Sequence, residues 1–169
     1  VSWDARAIVL ALATLVWVAL LVVTPVLPAA AAAAIYGIGS FICHQFPDRS
    51  FHLAGAQLPV CARCLGIYAG FSAAAVGHVI PRVHVRAGRS PLTASSARWI
   101  FAMAALPTVA TVALEWSGLW ASTNLVRVVA GSTLGIGLAL VVMSALATLH
   151  YSSCEPRRPT APNQWPPRI

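Results

Sequence analysis

"ARAIVLALATLVWVALLVVTPVLP", residues 5–28, decides the architecture of this chain. After Arg6 it carries no charge, and from Ala7 to about Val26 it holds the roughly 20 apolar residues that a helix needs to cross a bilayer. The run is longer than the apolar part of a signal peptide, although an alanine-rich segment follows it, and it reads as a retained span. Pro25 and Pro28 end it, because proline lacks an amide and disfavours helix at the residue before it.

The rest of the chain agrees. Only 9% of the 169 residues are charged and 59% are hydrophobic, whereas a soluble domain carries about 25% charged residues. Further spans are expected at about Cys61–Ile80, Trp99–Trp116 and Asn124–Leu149. "AAAAAAIYGIGSFI" (29–42) is apolar but too short to cross, so it reads as a re-entrant or interfacial helix. The expected fold is an all-α membrane protein of about four transmembrane helices plus that short one. Residues 1–150 form its single membrane domain, and 151–169 a Pro-rich tail.

Charge sets direction. All 11 basic residues are arginine, against Asp4, Asp48, Glu115 and Glu155, a net +7. No basic stripe with interleaved aromatics appears, which argues against nucleic acid and leaves topology and lipid headgroups as the roles of the arginines. Arg82, Arg86, Arg89 and Arg98 lie in or beside one connection, and Arg157, Arg158 and Arg168 in the tail. The positive-inside rule makes both cytoplasmic. With four spans the N-terminus is cytoplasmic too, and loop 43–60 faces the periplasm or exterior of a bacterial inner membrane. The tail cannot bury a core and is expected to gain order only against another membrane-protein subunit.

The outward stretch "CHQFPDRSFHLAGAQLPVCARC" (43–64) gathers three of the four cysteines. Cys61 and Cys64 are three apart at the start of an expected helix, so they share a face. With Cys43 and His44 they make up the four Cys/His ligands that zinc prefers, with His52 as a substitute for His44. A disulfide from Cys43 to Cys61 or Cys64 is the first rival, since such bonds persist outside the cytoplasm. The second is reactive-thiol chemistry, because a helix N-terminus beside Arg63 favours thiolate.

Other polar groups fall at the same depth: Gln45, Arg49, Arg63, Glu115, Asn124 and Arg127. Glu115 is the one acid within the expected spans, so an ion pair with Arg127 or Arg63 is expected, against a bland alternative of snorkelling to headgroups. "GIYAG" (Gly66, Gly70) and "GSTLG" (Gly131, Gly135) have the small-x-x-x-small spacing that lets helices approach, which suggests that the second and fourth spans touch.

"CHQFPDRSF", "LPVCARCLGIYAGF" and "STNLVRVVAGSTLG" resemble the signature of a family of small bacterial and archaeal membrane proteins of unknown function. Its pattern runs C-H-Q-x-P-x-R-S-F, then P-x-C-A-R-C-x-G-I-Y-x-G, then S-N-x-x-R-x-x-x-G. The resemblance spans about residues 35–145 and carries over Cys43, His44, Gln45, Arg49, Cys61, Arg63, Cys64, Gly66, Tyr68, Asn124 and Arg127. Members tend to have Asp-Gly after the third-span proline; here Glu115 of "LEWSG" is read as the stand-in. The first span and the tail are additions. The resemblance implies a site but no activity.

Two functions follow. The first is a non-catalytic accessory subunit of a respiratory or photosynthetic type of complex, its outer loop held by zinc or a disulfide. The alternative is a small membrane enzyme, or a metal-handling or thiol-redox protein, working through Cys43, Cys61 and Cys64 with Arg49, Glu115 and Arg127.

Overall fold

The computed structural model describes residues 5–80 and 93–154. Arg82, Arg86 and Arg89, and the tail from Glu155 with its three arginines, lie outside the described residues. Helix α1 (Ala5–Val23) runs into a 3₁₀ turn (Thr24–Val26) with Pro25 in its first turn. Helix α2 (Ala29–Ile42), 14 residues, is short as expected. After the loop come α3 (Ala62–Val79), α4 (Ala94–Trp116) and α5 (Asn124–Cys154).

Among the described residues, three segments are long and apolar enough to cross a membrane: Ala5–Val26, Ser95–Trp116 and Asn124–Leu146. The span expected at 61–80 is not among them. Helix α3 has 18 residues and carries Arg63, several glycines, Ser72 and His78, which dilute its apolar character. Its position accounts for that composition. Helix α3 is packed by α1 and by α5, with Ala62, Gly66, Gly70, Ser72 and Ala75 buried. A helix sheathed by other helices meets less lipid and can carry small and polar residues.

The glycines are the reason α3 and α5 lie so close. A Cβ on Gly66 would overlap the Val128 carbonyl oxygen, and one on Gly70 that of Ser132. In return, a Cβ on Gly131 would overlap the Arg63 carbonyl oxygen, and one on Gly135 that of Ile67. The two motifs are therefore faces of one interface, as their spacing suggested. Helix α4 joins α5 through threonines, Thr108 Oγ1 donating to Ala130 O at 2.7 Å and Thr133 Oγ1 to Ala104 O at 3.1 Å. Helix α1 meets α3 at two levels. Ala11 packs with Ala75 and Met143 at one end, and Trp17 sets its edge against the Tyr68 ring at the other.

Helix ends follow from local chemistry. Thr93 Oγ1 accepts the Ser96 amide at 3.2 Å and caps α4. Gly118, at φ 71°, turns the chain out of α4 into the left-handed region. Thr123 Oγ1 accepts the Val126 amide at 3.3 Å and opens α5. The loop itself holds a minimal hairpin, His52–Leu53 antiparallel to Ala56–Gln57, with Ala54 and Gly55 both at positive φ. Positive φ at both central residues is the turn that matches strand twist.

Candidate metal centre

Loop 43–60 is folded down over the helix ends by one glutamine. Gln45 sits at φ 51°, and its Nε2 donates to Tyr36 O and to Pro59 O, each at 2.8 Å. Gln57 Nε2 donates to Gln45 O at 2.8 Å, and Tyr36 Oη donates to Gln57 O. The end of α2, the hairpin and the start of α3 are thereby tied together. Gly39 permits it, because a Cβ there would overlap the Pro59 carbonyl oxygen and the Gln45 amide.

This closure brings Cys43 against the first turn of α3. The sulfurs of Cys43, Cys61 and Cys64 all lie within 4.8 Å of one another. Zinc–sulfur bonds of about 2.3 Å in a tetrahedral site need sulfurs roughly 4 Å apart, so the three fit one ion with small adjustment. Cys43 is buried, and its Sγ accepts backbone amides from Cys61 at 3.2 Å and Gln45 at 3.5 Å. Such amides orient a sulfur ligand from behind. Cys61 precedes α3 as its N-cap. Soft thiolates select zinc, copper(I) or iron among the common metals.

His44 is exposed and its ring stacks on Phe46, centroids 5.9 Å apart. His52 is exposed on the hairpin. Among the described residues, neither joins the group of three cysteines.

Glu115 is the hub of the polar cluster. Its Oε1 accepts Arg63 Nη2 at 3.1 Å, Arg127 Nε at 3.1 Å and the Ser122 hydroxyl. Both expected ion pairs form at once, on one carboxylate whose side chain is 5% exposed. Arg63 also donates to Thr111 Oγ1 at 3.3 Å. Arg127 Nη1 reaches Asn124 Oδ1 at 3.0 Å and Asp48 O at 3.4 Å, and Asn124 Nδ2 donates to Ser50 O at 3.1 Å. Arg127 and Asn124 thus hold the loop by its backbone. Arg49 is exposed, its guanidinium 5.6 Å from the centroid of the Phe46 ring.

Thiols and guanidiniums meet in a cavity of about 230 Å³ between the loop and the helix ends. Cys43, Cys61, Cys64, His44, Gln45, Arg49, Arg63 and Arg127 line it, with Ile42, Phe46 and Ile67 as its apolar wall. Residue-by-residue reading missed Tyr36, Gln57, Thr111 and Ser122, which act by closing the loop or serving the hub. Only Ser122, two residues before Asn124 in the recognised stretch, left a signal.

A family model described as a predicted membrane protein (DUF2085) matches residues 43–141, a stretch that opens on Cys43 and contains every cysteine and arginine that lines this cavity, and Glu115 with them. The chain belongs to the DUF2085 family. An uncharacterized protein of Methanocaldococcus jannaschii is 29% identical over 117 residues, 69% of this chain and 71% of that protein. An uncharacterized protein of Methanothermobacter thermautotrophicus is 33% identical over 102 residues, 60% of this chain and 84% of that protein. No solved structure matches. The DUF2085 match leaves out α1 and α2, so the family region is the loop, α3, α4 and most of α5. That part supplies every residue lining the cavity except Ile42.

Proposed function

We propose that this DUF2085 protein holds one thiophilic metal ion, zinc in the first instance, on Cys43, Cys61 and Cys64, with the fourth position open to the cavity. The observation that carries this is the meeting of three sulfurs within 4.8 Å at the wall of an accessible cavity. Three protein ligands plus an open position is the pattern of zinc sites that work on a ligand, whereas structural sites use four protein ligands. This favours a metal-handling protein or small membrane enzyme over a passive clasp. His44 is the residue in reach along the chain for a closed site.

In this reading α3 crosses the membrane within its sheath of helices, the termini are cytoplasmic, and the loop faces out of the cytoplasm. An accessory-subunit role rested on the tail finding a partner, and the tail lies outside the described residues. The cavity favours a working site, since a clasp has no need of a guanidinium-lined opening.

Metal analysis of the unreduced, purified chain, together with a free-thiol count, tests the proposal. About one zinc per chain is expected, with thiols released on chelation and metal lost in Cys43→Ser. No metal and two thiols missing would replace the metal centre with a disulfide of Cys43 to Cys61 or Cys64.

A further inference from the structure

The cavity has an imbalance of charge that the metal does not remove. Arg49, Arg63 and Arg127 line it and no described acid does; the Glu115 carboxylate behind them serves Arg63 and Arg127 together, and the exposed Asp48 side chain makes no ion pair among the described residues. With neutral thiols, two positive charges are left over. A divalent ion on three thiolates cancels one of these, and one remains. A cleft lined by charge of one sign concentrates partners of the opposite sign.

Two guanidiniums at its wall are left short of partners. Arg63 Nε is a buried N–H with no hydrogen-bond acceptor among the described residues, a state that native proteins rarely tolerate. Arg49 makes no ion pair among the described residues and rests on the Phe46 ring alone. Guanidinium forks match the oxygens of phosphate and carboxylate groups. A phosphate monoester, at about −1.5 to −2 near neutral pH, suits the metal-free charge, and a diester suits the metal-loaded one. The opening is apolar, since Ile42 and Phe46 are both more than half exposed.

We infer that the cavity binds a phosphate-type oxyanion through Arg49 and Arg63, beside the three sulfurs. This rests on the reading above in one respect, that the cavity is the working site; the charge argument itself comes from the arginines. The oxyanion has two sources, an anionic lipid whose chains would lie along Ile42 and Phe46, or free phosphate.

Native mass spectrometry of the full chain in a neutral detergent tests this, with dioleoylphosphatidic acid as one probe and inorganic phosphate as the other. Each is titrated into zinc-loaded and chelator-treated protein. One saturable adduct per chain is expected, weakened at least about tenfold in Arg49→Gln and unchanged in Arg98→Gln, near the opposite end of α4. Arg49 is exposed, so its loss leaves the Glu115 hub intact. A phosphatidic acid adduct that inorganic phosphate does not displace upholds the inference with lipid as source. Displacement by phosphate upholds it with the free ion as source. Absence of a saturable adduct with either probe overturns it, and so does an adduct that Arg49→Gln and Arg98→Gln weaken equally. Oxyanion binding to a chain that takes up no zinc would uphold this inference while removing the metal reading.

Discussion

Glu115→Gln is expected to destabilise the protein by about 3–5 kcal/mol, the range for removing one member of a buried ion pair. The side chains of its two partners are 16% exposed for Arg63 and 10% for Arg127. Neither can reach bulk water without leaving Thr111 or the loop carbonyls behind. Glutamine keeps an acceptor for Ser122 and one guanidinium, but it removes the charge that both share. Because Arg127 also ties down Asp48 and Asn124, the loss should spread to the loop and loosen the cysteines. Denaturant or thermal unfolding in detergent measures the cost. Removing Arg127 as well should add less than its effect alone, since members of one network are not additive. Wild-type stability in Glu115→Gln would mean that the arginines are held by headgroups instead.

Gly135→Leu is expected to have an effect of similar or greater size. The atoms a Cβ would strike are the Ile67 carbonyl and the Phe71 amide, both backbone of α3, so no rotamer change relieves the clash. Overpacking commonly costs about 1–3 kcal/mol where side chains can shift; here two helices must part. Parting them moves Arg63, Cys61 and Cys64 away from Arg127, so metal uptake should fall along with stability. Gly77→Leu is the control, since a Cβ there meets nothing within 4 Å. If Gly135→Leu folded and took up metal as well as Gly77→Leu, α3 and α5 would not pack as described.

Much of this was legible before folding because membrane segments announce themselves locally. Apolar runs must match the bilayer, prolines must break them, and glycines at spacing four mark a close approach whatever the neighbour. Hence α1, the short α2, α4 and α5 could be placed from residues alone, and the two glycine motifs rightly pointed to each other. Helix α3 was harder. Its small and polar residues go with its packing against α1 and α5, and hydropathy cannot distinguish a sheathed span from a helix too polar to cross.

The site divides the same way. Residue types and spacing determined that Cys61 and Cys64 share a helix face, that Cys43 is their partner across a loop, and that Glu115 needs an arginine. Tertiary structure alone decided that one carboxylate oxygen takes both arginines and that His44 turns to Phe46. It also decided that Gln45 pins the loop by its side chain. These depend on atoms brought together from up to 79 positions apart, as Asp48 and Arg127 are, and no local pattern records such a distance. Sequence determines which groups are costly to bury; only packing decides which of them satisfy one another.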